Sequence, residues 1–238
     1  PAGELLIGSN GRLNPNATLG YSDGSYYYTP DNWADETFQN NLRQEYNINA
    51  SGGNEKATYY LAFGYLDDQG VISGSGLTRY NGRFKGDYKL TQWLKVGANF
   101  SYINSQSRYP AEQDANATAS SGNAFFVANN IAPVYPMYVR DTDKNIMLNN
   151  GRKVYDYGDG QSTKNSRSFM SIANPAGDLT YNKTEYLMDV INVNWFAEIN
   201  PIKGLNVSAR FGLNVDNTRY NDLGNAYMGQ SASYGGTA

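Results

Sequence analysis

From Leu94 onward every second residue is apolar. Leu94, Val96, Ala98, Phe100 and Tyr102 alternate with Lys95, Gly97, Asn99 and Ser101. A period of two predicts a β-strand with one apolar face and one wet face. Five other stretches share the pattern. Residues 45–51 set Tyr46, Ile48 and Ala50 against Glu45, Asn47, Asn49 and Ser51, and 58–66 set Tyr59, Leu61, Phe63 and Tyr65 against Tyr60, Ala62 and Gly64. In 79–90, Tyr80, Phe84 and Tyr88 oppose Arg79, Arg83, Lys85 and Asp87. In 187–199, Ile191, Val193, Trp195, Ala197 and Ile199 oppose Asn192, Asn194 and Glu198; in 205–216, Val207, Phe211 and Leu213 oppose Ser208, Arg210, Asn214 and Asp216.

What the apolar faces touch follows from lengths and connections. Four of the six stretches run about 11–13 residues, longer than the ~5–6 of ordinary globular strands and long enough for the about 9–11 of a membrane-spanning strand. The connections alternate between short turns and longer loops, the longest being 105–184. That asymmetry, with Tyr59, Tyr65, Tyr80, Tyr88, Tyr102 and Trp195 toward strand ends, is the pattern of an outer-membrane barrel. The charged positions of the other face cannot line a dry core unpaired. A soluble β-sandwich explains the alternation but neither the strand lengths nor the loop asymmetry. The sequence therefore predicts an all-β fold, an antiparallel transmembrane β-barrel segment of about six strands with long extracellular loops. Val96, Phe100, Val193, Trp195, Val207 and Phe211 are expected to face lipid, and Arg83, Lys85, Lys95, Asn99, Arg210 and Asn214 the lumen. Six strands cannot close around a wet lumen, because bacterial barrels start at about 8. Open edges would leave backbone groups unsatisfied in lipid. The chain is thus expected to be one piece of a larger barrel, and its start at Pro1 in place of Met suggests a longer or processed precursor.

Composition removes several classes of function. The net charge of −3 offers no basic field for nucleic acid. No apolar run approaches the ~20 residues of a transmembrane helix, and no signal peptide is visible. Cys and His are both absent, which excludes disulfides, Cys/His zinc sites and Ser-His or Cys-His catalysis. The carboxylate pairs Asp67/Asp68 and Asp156/Asp159 lie in Gly-rich connections and read as turn chemistry rather than a glycosidase dyad. No enzyme and no cofactor is expected. Asp141, Asp143 and Asn145 have the spacing that opens a calcium loop, but Ile146 stands where that loop needs Gly, so a polar hairpin tip is the better reading. Two aromatic clusters, Tyr26, Tyr27, Tyr28 and Trp33, and Tyr135, Tyr138, Tyr155 and Tyr157, are candidates for stacking on a ligand at the mouth of a barrel, or for loop packing. The lumen charges, Arg79 included, are candidates for steering an anionic ligand or pairing with carboxylates inside the barrel. The sequon at Asn116 carries no glycosylation meaning in a bacterial chain.

The stretches DNWADETF (31–38), QEYNINASGGNEKATYYLAFGYLDDQGVI (44–72), LTRYNGRFKGDYKLTQWLKVGANFSY (77–102), NNIAPVYPMYVRDTDKN (129–145) and VYDYGDG (154–160) resemble the SusC/RagA-like TonB-dependent outer-membrane transporters of Bacteroidetes. The resemblance covers most of 31–217. It implies a barrel of roughly 22 strands around a plug, integral in outer-membrane lipid, and a SusD-like surface lipoprotein as lid. It also implies a TonB complex that uses proton-motive force, import of a glycan or an oligopeptide, and often a dimer of transporter–lid pairs. The implied layout is 1–42 as the end of the plug and linker, 43–104 as barrel strands 1–4, and 105–184 as a long extracellular loop. Strands 5–6 then occupy 185–217, and 218–238 opens the next loop. In 1–42 a short element is expected around 32–41, and in 105–184 a short helix over 124–131. The rival reading is a soluble or surface-attached all-β carbohydrate-binding module. A receptor for a metal chelate is a nearer alternative, against which the stretch from Asn130 to Tyr138 speaks.

Overall fold

The computed structural model describes residues 20–109 and 123–224. In chain order the elements are β1 (Tyr21–Ser22), β2 (Tyr27–Tyr28), α1 (Trp33–Thr37), β3 (Gln44–Gly53), β4 (Ala57–Gln69), β5 (Gly76–Lys89), β6 (Leu94–Tyr109), α2 (Ala124–Asn130), β7 (Leu148–Asn149), β8 (Arg152–Lys153), α3 (Pro175–Tyr181), β9 (Lys183–Ile202) and β10 (Leu205–Leu223). The chain divides into two compact units. One comprises Pro1–Gln39, Pro110–Lys183 and Leu223–Ala238; the other comprises Asn40–Tyr109 and Thr184–Asp222.

The second unit is a single six-stranded antiparallel sheet in the order β10-β9-β6-β5-β4-β3. Each strand pairs with its neighbour along the chain, so the sheet is a meander interrupted only where the insertion joins β6 to β9. The register keeps like with like. Phe84 opposes Phe100, Phe100 opposes Val193, and Ala98 opposes Trp195; on the other face Lys85 opposes Asn99, and Asn99 opposes Asn194. The Trp195 and Phe211 rings stack at 5.7 Å and extend the apolar rows onto β10. A slip of one residue anywhere would turn a whole strand over. Turns are closed by side chains suited to them: Asn54 Oδ1 accepts from the backbone of Lys56 and Ala57 at 2.9 Å each.

All six expected strands form, but they are longer than their apolar alternation. β9 spans 20 residues and β10 19, against 13 and 12 predicted from 187–199 and 205–216. The added ends carry polar residues on both faces. Their ladder is held by backbone hydrogen bonds, which leave no period-two signature in the side chains.

The first unit is built on caps and a small core. Asn32, Asn123 and Asn174 each accept a hydrogen bond from a backbone N–H of the helix that follows, at 3.2, 2.8 and 3.1 Å. They satisfy donors that a helix start otherwise leaves open. Pro175 then takes the first turn of α3, where its missing N–H costs nothing. Around these helices pack Trp33, Val127, Ile131, Met137, Tyr138, Tyr155, Tyr157, Met170, Ala173 and Ala176. The expected short element near 32–41 is α1, and the helix expected over 124–131 is α2. Residues 1–19, 110–122 and 225–238, with the first part of the expected plug and linker, the Asn116 sequon and most of the final loop, lie outside the described residues.

Candidate functional site

One face of the sheet is an uncovered apolar band. Val96, Phe100, Val193, Trp195, Val207 and Phe211 all lie on it, with Ile48, Leu61, Phe63, Phe84, Leu213 and Val215. Phe63 is 62% exposed, Phe211 58% and Leu213 51%. A soluble protein rarely leaves so large a contiguous apolar surface open. Tyrosines edge the band. Tyr46, Tyr65 and Tyr80 form a row across three strands with centroids 6.3 and 5.0 Å apart. Tyr88 sits on the same face eight residues beyond Tyr80 (88 − 80), roughly 26 Å along a strand at its usual rise. That matches the about 25 Å height of the apolar band on an outer-membrane barrel. Beyond Tyr102 the same face turns polar. Asp189 accepts from Tyr102 Oη at 2.6 Å and Asn104 Nδ2 at 2.8 Å, and Glu185 accepts from Gln106 Nε2 at 2.8 Å.

The opposite face carries Arg83, Lys85, Lys95, Asn99, Arg210 and Asn214, which the strand register brings to one side. They are not a uniform positive field. Lys95 Nζ is 2.8 Å from Asp87 Oδ1 and lies 5.8 Å over the Phe196 ring. Asp87 also accepts from Thr58, and Arg83 Nε donates to Asn99 Oδ1 at 3.2 Å. The mixed, hydrated character is what a wet wall needs.

The aromatic candidates of the other unit separate into two groups. Trp33, Tyr138, Tyr155 and Tyr157 are interior, at 2, 4, 5 and 0% exposure. They are core residues, which closes them to stacking on a passing substrate. Trp33 Nε1 donates to the Tyr135 carbonyl at 3.0 Å, and Tyr157 Oη donates to Asp178 Oδ1 at 2.9 Å. Tyr26, Tyr27, Tyr28 and Tyr135 are half-buried. Burial raises the phenol pKa of Tyr28 to about 12 and pushes those of Tyr138, Tyr155 and Tyr157 up as well. These tyrosines are neutral hydrogen-bonding groups at physiological pH, not bases.

The Asp141 turn is a hairpin tip. Asp141 Oδ1 accepts from the backbone N–H groups of Asp143 and Asn145 at 2.9 Å each, and Lys144 takes a left-handed φ of 71°. The carboxylate that would open a calcium loop is occupied by its own turn. Asp156 and Asp159 do the same for Gly158 and Gln161, at 2.8 and 2.9 Å. Among the described residues no group of three acidic side chains gathers in a metal-binding arrangement.

Sequence reasoning missed the polar residues that organise this unit. Arg140 meets the Asp31 carboxylate with both guanidinium ends, at 2.9 and 2.6 Å, and Asp31 also accepts from the Met137 N–H at 2.7 Å. Arg167 is buried, and its Nη2 donates to the carbonyls of Tyr157 and Ala173 at 2.7 and 2.6 Å. Its guanidinium lies 5.5 Å over Trp33 and 5.6 Å over Tyr135. Asn174 Nδ2 donates to the carbonyls of Met137 and Asp156 at 2.8 and 3.0 Å. Single charged or amide residues in a polar stretch carry no periodic signal, so nothing local marked them.

No family model matches the chain. It is 26% identical over 220 residues to TonB-dependent receptor P3 of Formosa agariphila, which covers 92% of this chain and 20% of that protein. It is 25% identical over 107 residues to TonB-dependent receptor SusC of Bacteroides thetaiotaomicron, covering 44% of this chain and 10% of that one. Among solved structures, the RagAB peptide transporter superposes with a TM-score of 0.59 at 26% identity, over 82% of this chain and 20% of the other. The RagAB importer in its closed-closed state gives 0.55 at 24% identity, over 89% and 21%. The chain thus spans about a fifth of its full-length relatives. Sequence and fold agree across most of that fifth, and the chain is similar to one segment of the SusC- and RagA-like TonB-dependent receptors.

Proposed function

We propose that this chain supplies barrel wall and an extracellular body to an outer-membrane transporter. That transporter imports an oligopeptide or a glycan, with a SusD-like lipoprotein as lid and TonB and the proton-motive force as the source of energy. Binding and energised passage are its work, not bond chemistry. The observation that carries the reading is the uncovered apolar band edged by tyrosines, set against a wet and charged opposite face. The two outer strands, β3 and β10, each have one side unpaired within the sheet. Lipid cannot satisfy such edges, so further strands would complete the barrel. The apolar band also speaks against a soluble carbohydrate-binding module, which would cover it with a second layer.

The orientation is tested in the full-length protein in lipid bilayers. Cysteines are placed singly at Asn99, Phe100, Phe211 and Asn214. A bilayer-confined thiol reagent is expected to label positions 100 and 211 and spare 99 and 214. The reverse labelling would invert the wall, and labelling of none would remove the membrane reading.

A further inference from the structure

β6, β9 and β10 run on past the apolar band, and their far ends carry another set of tyrosines. Tyr109 and Tyr186 meet edge to face at 5.7 Å, and Tyr186 and Tyr220 lie 4.8 Å apart, tilted by 42°. Strand parity puts all three on the side of Lys95, Asn99 and Arg210, opposite Phe100 and Phe211. An interfacial girdle faces lipid, so that role does not account for them. Yet the three residues remain 53, 41 and 54% exposed.

A carboxylate sits next to the row. Asp222, two residues beyond Tyr220 on the same side, accepts from Thr184 Oγ1 through Oδ1 at 2.8 Å, and its Oδ2 has no partner among the described residues. The adjacent positions on this side are Ser105, Ser107, Thr184, Met188 and Thr218, and none is basic. Ring faces present negative potential, and here a carboxylate adds to it with no neighbouring cation among the described residues. The complement is a positive group that is flat or compact enough to lie on a ring.

We infer that Tyr109, Tyr186, Tyr220 and Asp222 form a platform for the lysine or arginine side chain of an oligopeptide, a site that rests on the transport reading above. The cation lies over the Tyr186 ring and donates to Asp222 Oδ2. A neutral sugar also stacks on aromatic rings but leaves the carboxylate without a counter-charge.

The test uses the full-length transporter with its lipoprotein partner. The probes are a fluorescent oligopeptide with two arginines, its counterpart with glutamines in their place, and maltoheptaose. The arginine peptide is expected to bind tighter than the glutamine one. Tyr186→Ala should weaken it about fivefold, the scale of a solvent-exposed cation–π contact. Tyr186→Phe should leave it unchanged, and Asp222→Asn should weaken it and flatten its salt dependence. Heat-modifiable gel mobility checks that each variant still forms its barrel, and Tyr186→Phe with Asp222→Asn decides the matter if Tyr186→Ala does not fold. Arginine-peptide binding that ignores these changes overturns the platform, as does a larger loss for maltoheptaose than for the peptide. A parent protein that neither binds nor imports any of the probes overturns the transport reading itself, whereas import with unaltered variants sinks only the platform.

Discussion

At the scale of single residues, a buried carboxylate and a buried ion pair give the clearest consequences. Desolvation raises the Asp156 pKa above its ordinary value, with the Gly158 N–H and Arg167 opposing it only in part. A raised folded-state pKa means that the carboxylate form is disfavoured in the fold. Stability linked to this group is therefore fully present below the unfolded value of 3.8 and is lost as pH rises through the higher folded value. Asp156→Asn, which imitates the protonated side chain, should make the body around α2 and α3 open less often at neutral pH. The gain should vanish as pH falls toward 4. Native-state proteolysis across that pH range measures it, and a gain that grows on acidification would contradict the assignment. The Asp31–Arg140 pair behaves differently, because its side chains are only 13 and 11% exposed and each satisfies the other. Removing one partner leaves a buried charge, and Asp31→Ala should cost the body about 3–5 kcal/mol. Amide exchange at Met137–Arg140 reads this directly, since Met137 also loses its acceptor. The turn role of Asp156 was legible in the sequence; the ion pair was not. Asp31 and Arg140 lie inside stretches that carry the family resemblance, but nothing in their spacing says that they meet across 109 residues.

At the scale of elements, the sequence was most informative where side chains alternate. The six strands, their order of faces and both named face sets follow from a period of two. Legibility ended where the pattern did. The polar extensions of β9 and β10 and the two short ladders β1–β2 and β7–β8 rest on backbone pairing and on polar and aromatic contacts that carry no apolar alternation. The insertion was misleading for a related reason. Its Asn, Ser and Gly content reads as irregular loop, yet two asparagine caps and one buried arginine, together with the Asn32-capped α1 ahead of β3, turn it into a packed body. The aromatic residues of the two segments looked like a binding surface because only three-dimensional packing separates Trp33 and Tyr157 from Tyr26. A prediction belongs to the apolar band. Leu213→Arg should cost the assembled barrel about 2–4 kcal/mol, the penalty for a cation near the bilayer midplane, whereas Asn214→Arg on the neighbouring strand position should cost little. Urea titration of refolding into lipid vesicles compares the two, and equal costs would mean that the two faces share one environment.

At the scale of the whole molecule, the sheet and the insertion solve opposite problems. The sheet leaves its apolar side chains outside and its edges open, which is stable only within a closed wall in lipid. The insertion shares a buried core with the segment ahead of β3, where Trp33 joins Tyr138, Tyr155 and Tyr157, and needs no such wall. The two units are then expected to unfold separately.

The stitching of the segment ahead of β3 into that body has one more consequence. Tyr27 N–H donates to the Arg140 carbonyl at 3.1 Å, Trp33 reaches the Tyr135 carbonyl, and Asp31 holds Arg140. Two stretches far apart in the gene therefore form one physical piece. Recombination that exchanged the insertion alone between relatives would pair a foreign body with a resident anchor and strand Trp33 and Asp31 without their partners. The heritable module is the pair of segments, and viable chimeras should carry crossovers that keep the two together.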